Sequence, residues 1–328
     1  MSSSVVGGSS SRCSSSLRQP SSMAPIGRER FIGLSCGLLS VLLFASFTLV
    51  SRLGFSSRLR LLDLAALRFG IGGTLLLPVL LRTDLRQVGW RRSAGLAASG
   101  GLGFALLAYT GFSLAPAAHG AVLLHGTLPL FTWLVMGATS RSSRPAYRTA
   151  GIVFIAVGIA LMAYDSLAVA SPMQLVGDAF LLLASLSWSS YAVLSRRLGL
   201  PPASGAAIVA VLSLCAFLPV YALWPGKALF LVDRGELVLQ GIVQGVLIGA
   251  ISIFVYTRAV AALGPAAAAL FAAAVPIVTT LAAVPLLHEI PSRLALAGVG
   301  VVTLGMIVAV RLRDGETRGR PPVSTSGV

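Results

Sequence analysis

The sequence predicts an all-α integral membrane protein with ten transmembrane helices in two inverted five-helix repeats. Hydrophobic residues make up 56% of the chain and charged residues 11%, less than half the charged share of about 25% in a soluble domain. Ten apolar stretches each reach the roughly 20 residues that a helix needs to cross a bilayer. The second half of the chain also repeats the first, which divides the ten helices five and five. The remaining loops and tails are too short to form a separate soluble domain.

The ten predicted helices follow one another through short, well-marked turns. They begin near Phe31, Asp63, Ser93, Ala117, Arg148, Gly177, Ala203, Gln240, Pro265 and Arg293. Asp63 is expected to cap the second helix, and Ser171 with Pro172 leads into the sixth. Pro116 and the pair Gly264 and Pro265 indicate tight turns before the fourth and ninth helices. Such short connections predict that successive helices are antiparallel neighbours.

An internal duplication relates the two halves of the chain. Residues 109–158 align without a gap to residues 147 positions later, and the pairs are Tyr109 with Tyr256, Pro129 with Pro276, Thr132 with Thr279, Gly151 with Gly298 and Gly158 with Gly305. Upstream, an offset of 144 pairs Phe44 with Trp188 and Arg52 with Arg196. The repeat therefore extends over nearly the whole chain, and its copies share their special residues as well as their apolar character.

The distribution of basic residues predicts the orientation. The net charge of +15 comes from residues scattered at helix ends, which does not indicate a nucleic-acid partner. With a cytoplasmic N-terminus, 18 of the 25 basic residues lie in the tails and inner loops, six lie in the outer loops, and Arg68 lies within a span. The positive-inside rule favours this orientation. With both termini inside and five helices per half, the second repeat enters the membrane upside down.

The predicted boundaries are a disordered Ser-rich N-terminal tail at residues 1–28, a first repeat at 29–165, a second repeat at 173–312 and a cytoplasmic tail at 313–328. Met23 is an alternative start, because the Ser-rich segment before it has no apolar core of its own. The three cysteines are too scattered for a disulfide framework and are interpreted as buried or incidental thiols.

Several motifs follow one another in a fixed order along the two halves. They are Leu67-Arg68-Phe69, Pro129-Leu130-Phe131-Thr132, Gly177-Asp178, Ser187-Trp188-Ser189 and Tyr191 through Arg196 in the first six helices, then Tyr256, Ala259, Leu263-Gly264, Pro276 and Glu289 before Pro291. In this order they resemble the EamA group of the drug/metabolite transporter superfamily. The resemblance covers about residues 31–310. It implies a ten-helix transporter that moves a small organic solute or metabolite, often outward, through a central cavity between the repeats. Glu289 aligns with Ser142 in the first half, so a role that requires an acid in both repeats is absent here.

Matching prolines mark the first candidate site. Pro129 and Pro276 lie mid-span at repeat-related positions, where a proline frees a backbone carbonyl and kinks the helix. We expect them to act as hinges, the alternative being that they are tolerated in packed helices. Inverted-repeat transporters bind substrate near the bilayer midplane, where such helices meet.

Polar side chains near these prolines are candidates for substrate contact. His125 and Thr132 lie one turn to either side of Pro129, and Thr279 repeats Thr132. His125 is also a candidate for proton coupling, because an imidazole titrates near neutral pH and an ionisable group at membrane depth suggests function. The alternative is a neutral histidine bonded to a backbone carbonyl. Glu289 is the second candidate for proton coupling, and His119 is expected to behave as a bystander.

A buried charge and four aromatic rings complete the candidate substrate site. Arg68 either binds an anionic solute or anchors at the interface, whereas Asp178, at the predicted start of the sixth helix, is interpreted as a cap. Tyr109, Trp188, Tyr191 and Tyr256 offer rings that stack on a substrate while their polar edges bind it; alternatively they are structural.

These features predict a secondary transporter, most readily an exporter, of a small organic metabolite or amino-acid-like solute. It is expected in the cytoplasmic (inner) membrane, working by alternating access, with the lipid bilayer and a small-molecule substrate as partners and homodimerisation left open. The sequence contains no nucleotide-binding loop, no zinc-ligand spacing and no serine elbow, so no enzymatic activity, cofactor or metal is predicted. The alternatives are a flippase for a lipid-linked solute and an intramembrane enzyme or sensor.

Overall fold

The computed structural model describes residues 26–137, 146–168 and 171–318; these residues are mostly helical, with turns and loops between the helices and no strand among them. The principal helices are α1 (Ile26–Ser56), α2 (Leu61–Leu81), α3 (Trp90–Leu114), α4 (Ala117–Gly137), α5 (Ala146–Ala168), α6 (Pro172–Leu198), α7 (Pro202–Leu223), α8 (Arg234–Leu263), α9 (265–287) and α10 (Arg293–Arg318). The predicted all-α class is confirmed. The predicted N-terminal tail lies almost entirely outside the described residues, as do Met23 and residues 319–328 of the C-terminal tail.

Among the described residues, eight helices, α1 to α8, contain segments that are long and apolar enough to cross a membrane. The apolar parts of the last two helices, Val275–Leu287 and Arg293–Val308, are shorter than the other eight. In the ninth helix the reason is a break: residues Ala272–Ala274 form a turn of 3₁₀-helix between two α-helical pieces. The described residues therefore support eight of the ten expected spans. The other two, α9 and α10, contain shorter apolar segments.

Local chemistry explains the helix ends. Asp63 accepts a hydrogen bond from the Arg60 backbone N–H over 3.0 Å, as expected for an acid in the first turn of α2. Ser171, not Asp178, caps α6, because the Ser171 hydroxyl accepts a bond from the Gln174 N–H. Gly264 ends α8 with φ of +87°, a conformation that favours glycine.

The repeat-related glycines bring α5 and α10 into close contact. A Cβ on Gly298 would lie 2.5 Å from Met162 Cε, and one on Gly305 would lie 2.9 Å from the carbonyl oxygen of Gly151. Gly158 faces Val302 of α10 in the same way. Small residues let helix backbones approach closely in a membrane, so the shared glycines of the duplication form this packing surface.

Two helices contain long stretches of π-helix. Residues Gly120–Gly126 of α4 and Gly241–Ser252 of α8 form π-helix. This backbone form is rare in proteins, and where it occurs it is frequently found at functional sites. The π segment of α4 lies just before Pro129, and the 3₁₀ turn of α9 lies just before Pro276. Both prolines therefore follow an irregular stretch of backbone at repeat-related positions.

One end of the bundle, here named the Arg52 end, is defined by the side chains that meet there. Arg52 at the end of α1 donates to the Phe112 carbonyl near the end of α3 over 2.8 Å. Its guanidinium also pairs with Glu289 after α9, and Glu289 accepts a bond from the Ala117 N–H at the start of α4. The opposite end holds the ion pair between Glu29 of α1 and Arg258 of α8.

Candidate functional site

A cluster of aromatic rings fills the centre of the bundle, with Trp188 of α6 in its middle. The Trp188 ring centroid lies 4.6 Å from Phe104, 5.2 Å from Tyr191, 5.2 Å from Tyr256 and 5.9 Å from Phe44. All five side chains are buried. We name this set the aromatic cluster.

The aromatic cluster joins the two halves of the chain. Phe44 of α1 and Phe104 of α3 come from the first half, and the other three rings come from α6 and α8 in the second. Phe44 and Trp188 are the pair that the duplication relates, and they meet edge to face. Any movement of one half against the other therefore changes the packing of these rings.

Polar atoms inside the aromatic cluster lack partners. Trp188 Nε1 and the Tyr256 hydroxyl face each other without reaching hydrogen-bond geometry with any described atom, whereas the Tyr191 hydroxyl lies 2.5 Å from Thr257 Oγ1. A buried donor without a partner costs about 1–3 kcal/mol. These two groups can therefore bind a polar atom of a ligand.

His125 of α4 lies against the same rings. Its imidazole stacks on Phe44 with a centroid distance of 5.1 Å and an interplanar angle of 27°, and its Nδ1 has no partner among the described atoms. The small cavity beside it has a volume of about 10 Å³ and is lined by Phe44, Phe104, Leu124, His125, Leu128 and Trp188. That volume holds about one water molecule, so an organic solute enters only if the helices rearrange.

Arg68 of α2 is fully buried behind the aromatic cluster. Its Cζ lies 5.0 Å from the Phe47 ring centroid, 5.5 Å from Phe104 and 5.9 Å from Phe69. None of its three guanidinium nitrogens reaches hydrogen-bond geometry with a described atom, and the Tyr109 hydroxyl is a polar group beside it. Phe104, a member of the aromatic cluster, contacts both Arg68 and Trp188, so this charge lies against the aromatic cluster and a single ring separates it from Trp188.

Tyr109 lies beside this arginine but has partners of its own. Its hydroxyl donates to Gln244 Oε1 over 3.0 Å, and Gln244 Nε2 donates to Ser51 Oγ over 3.0 Å. Its ring packs on Phe47 at 5.6 Å. The structure thus connects the π segment of α8 to α1 and α3 through Tyr109, whereas its repeat partner Tyr256 belongs to the aromatic cluster.

The structure does not gather every predicted residue at the aromatic cluster. Thr132 and Thr279 are buried, and their hydroxyls lack partners among the described atoms, but neither lines the small cavity. Pro276 packs near the π segment of α4, since a Cβ on Gly126 would lie 3.6 Å from Pro276 Cγ. Glu289 lies at the Arg52 end, in the ion pair with Arg52.

A buried polar network at the Arg52 end was not anticipated. His119 of α4 lies between two aspartates, with Nδ1 2.9 Å from Asp178 Oδ1 and Nε2 3.0 Å from Asp165 Oδ2. The free carboxylate oxygens accept bonds from Ser166 and Ser292. All three ionisable groups are at most 5% exposed. Asp178 therefore binds His119 and Ser166, which corrects its interpretation as a helix cap.

The positions of these three residues at helix ends indicate this network. His119 begins the fourth helix, Asp165 ends the fifth and Asp178 follows the start of the sixth, so antiparallel packing places all three at one end. Each residue considered alone resembles an ordinary interfacial charge.

A cavity of about 190 Å³ adjoins the network. Twelve residues line it, among them His119, Asp165, Gln174, Thr280, Glu289 and Ile290.

Comparisons with known proteins agree with this architecture. One solved crystal structure is 21% identical to this chain, with a TM-score of 0.57, and the match covers 87% of this chain and 98% of the other; at that identity the likeness concerns the fold alone. No curated protein matches the chain. The EamA-like transporter family matches residues 31–164 and 175–311, one copy in each half. Together with the apolar helices, this match makes the chain a multi-pass membrane protein that belongs to the EamA-like transporter family.

Proposed function

We propose that this protein is a secondary transporter that exports a small organic metabolite or amino-acid-like solute across the cytoplasmic membrane by alternating access. The observation that carries the proposal is the aromatic cluster, which lies where the halves meet and holds two buried polar atoms without partners. Aromatic rings stack on planar or apolar parts of a solute, and a few polar groups fix its orientation.

The size of the central cavity supports a cycle of opening and closing. At about 10 Å³, the cavity beside His125 is too small for a metabolite. Because the rings come from both halves, rocking of one half against the other would separate Phe44 and Phe104 from Trp188 and Tyr256 and open the site. The described structure then corresponds to a closed state of the cycle.

The contacts at the Arg52 end support the inverted repeat. The helices that finish there include α1, α3 and α5, while α6, α8 and α10 begin there, as the contacts of Arg52, Asp165 and Gln240 with their partners indicate. Asp63 at the start of α2 likewise accepts a bond from Tyr221 near the end of α7. These contacts support the proposal that repeat-related helices run in opposite directions, as inverted topology requires.

Pro129 and Pro276 are proposed as the hinges of this movement. Each follows an irregular backbone stretch, π-helix in α4 and 3₁₀-helix in α9. Discontinuous helices at matching positions in two halves are typical of transporter binding sites. Thr132 and Thr279, each three residues beyond its proline, would supply polar contacts when the helices separate.

The function is tested by comparing the metabolites released by cells that express the full chain with those released by cells that lack it. A solute enriched outside the expressing cells is then loaded into liposomes that contain the purified protein. We expect the protein to speed its equilibration across the liposome membrane. Accumulation of a lipid-linked solute in the outer leaflet would instead identify a flippase, and no change in any solute would contradict transport.

Reporter fusions test the orientation. The excess of basic residues in the predicted inner loops leads us to expect cytoplasmic reporters after Arg92 and Arg320 and an external reporter after Asp165. This arrangement places the Arg52 end on the outer face. An external reporter after Arg320 would contradict the inverted-repeat arrangement.

A further inference from the structure

We propose that His119, held between Asp165 and Asp178, is the proton-binding site through which this transporter is driven by a proton gradient. The proposal rests on the proposed transport function and adds the coupling ion to it. In this mechanism, the network takes up its proton through the Arg52 end, and protonation closes that end. The proton leaves toward the opposite face while the opposite end is open, and its loss lets the Arg52 end open again.

The number of protons that the two imidazole–carboxylate contacts require supports this assignment. Each of the two contacts between an imidazole nitrogen and a carboxylate oxygen needs one proton, and both distances are 3.0 Å or less. The arrangement therefore contains two protons, as in an imidazolium between two carboxylates. When one proton leaves, a neutral imidazole can donate to only one aspartate, so the other contact is lost and the two carboxylates repel each other.

The network connects helices from both halves, so its protonation state bears on the movement of one half against the other. Asp165 ends α5 and Asp178 lies in α6, while Ser292, which donates to Asp165 over 2.5 Å, also caps α10 by accepting from the Ala295 N–H over 2.9 Å. The protonated network thus ties α4 and α5 to α6 and α10. Loss of the proton weakens this tie at the Arg52 end.

The cavity of about 190 Å³ gives protons a route to the network. His119 and Asp165 line it, and so does Ile290, which is 86% exposed, so the cavity reaches the surface. Thr280 also lines it, and its buried hydroxyl has no partner among the described atoms. The cavity has room for several water molecules, and its polar side chains, among them His119, Asp165 and Thr280, can bind them. Such water can carry protons to the imidazole.

The other charged groups near His119 are already paired or exposed. Glu289 pairs with Arg52 of α1 and accepts from the Ala117 N–H. His288 and Arg293, which flank this loop, are exposed, as is Tyr164 beside Asp165. The α9 segment Val275–Leu287 contains no titratable side chain. The two aspartates are thus the groups that respond directly to the charge on His119.

The surroundings of His125 are much less suitable for a proton. Its imidazole lies against Phe44 and Trp188, with no carboxylate among the residues that line its cavity. A positive charge there would have no counter-charge, and burying an unpaired charge is strongly unfavourable. The structure therefore favours His119 over His125, the residue that the sequence alone suggested for this role.

The test follows opening of the Arg52 end with a cysteine, which requires no knowledge of the solute. Ala283, which is buried and lines the larger cavity, is replaced by cysteine in a full-length chain whose three native cysteines are serine. Its labelling rate with a maleimide is measured in liposomes across pH 5 to 8. Each rate is divided by that of the exposed variant Ser56→Cys at the same pH, which removes the pH dependence of the thiol itself.

We expect the normalised labelling rate to rise about tenfold or more with pH, through a single transition. His119→Gln should abolish the transition, and His125→Gln should leave it intact. Asp165→Asn removes one negative charge next to His119, so it should shift the midpoint about one unit to lower pH. This variant keeps the test decisive if His119→Gln fails to fold.

Two results would overturn the proposal: a parental transition in both His119→Gln and Asp165→Asn, or loss of the transition in His125→Gln alone. Once an exported solute is known, its release from liposomes should also consume an imposed pH gradient in the parent but not in His119→Gln. A transition that depends on His119 in a protein that moves no solute would retain the proton site but refute the transport function.

Discussion

Replacing Trp188 with alanine is expected to lower solute export about tenfold or more, because this ring is the centre of the aromatic cluster. It contacts four other rings from both halves of the chain, and its Nε1 is one of two buried polar atoms there without a partner. Loss of about 1.4 kcal/mol of interaction with the solute already lowers affinity tenfold. The measurement is the rate of export per molecule of protein in liposomes.

Two control variants separate solute binding from folding. Truncating a buried tryptophan costs roughly 3–5 kcal/mol of stability, so Trp188→Phe, which keeps a ring but lacks Nε1, is measured beside it. We expect Trp188→Phe to fold normally and to lose part of the activity. Trp90→Ala removes a tryptophan that is 74% exposed and outside the aromatic cluster, and it should export at the parental rate. Parental export by Trp188→Ala would show that the aromatic cluster is structural.

The duplication was enough to predict much of the fold and part of the candidate site. Repeat-related Phe44 and Trp188 do meet in space, and the shared glycines 151, 298 and 305 pack at one helix contact. The reason is physical: a duplicated sequence repeats its small and large residues at matching places, and close helix contacts in a membrane depend on those sizes.

Other features depend on information that helical periodicity does not contain. The π segments of α4 and α8 alter which side chains share a face, whereas an α-helical pattern has 3.6 residues per turn. The network of His119, Asp165 and Asp178 joins residues from three helix ends, and each residue alone also fits a role within its own helix. A charge near a helix end is explained equally well by capping or by an interfacial position, so only the packed arrangement distinguishes these roles.

The unpaired charge of Arg68 leads to the second large expected effect: Arg68→Met should make the protein more stable and less active at the same time. The guanidinium is fully buried, and its three nitrogens have no hydrogen-bond partner among the described atoms. Contacts with the faces of Phe47 and Phe104 recover about 2 kcal/mol each, less than the burial of an unpaired charge costs. Evolution tolerates such a cost mainly at functional sites.

Methionine has a similar length and no charge, so it can fill the same space among the phenylalanine rings. Replacing a buried ion pair with apolar side chains of similar volume is neutral or stabilising by about 1–4 kcal/mol, and a buried charge without a counter-charge has no pairing energy to lose. We therefore expect the melting temperature of the detergent-solubilised protein to rise by several degrees. Solute export should fall about tenfold or more if Arg68 binds an anionic group of the solute during the cycle. This contact requires the rings between Arg68 and the solute site to move apart.

Arg52→Met is the matched control, because it removes an arginine that does have a counter-charge. Arg52 pairs with Glu289 and donates to the Phe112 carbonyl, so its loss leaves an acid without its partner, and the melting temperature should fall. A higher melting temperature in Arg68→Met and a lower one in Arg52→Met would show that the presence of a counter-charge, rather than the charge alone, determines the change in stability. A lower melting temperature together with parental export in Arg68→Met would instead show that its contacts with the rings stabilise the bundle and that the solute does not use this charge.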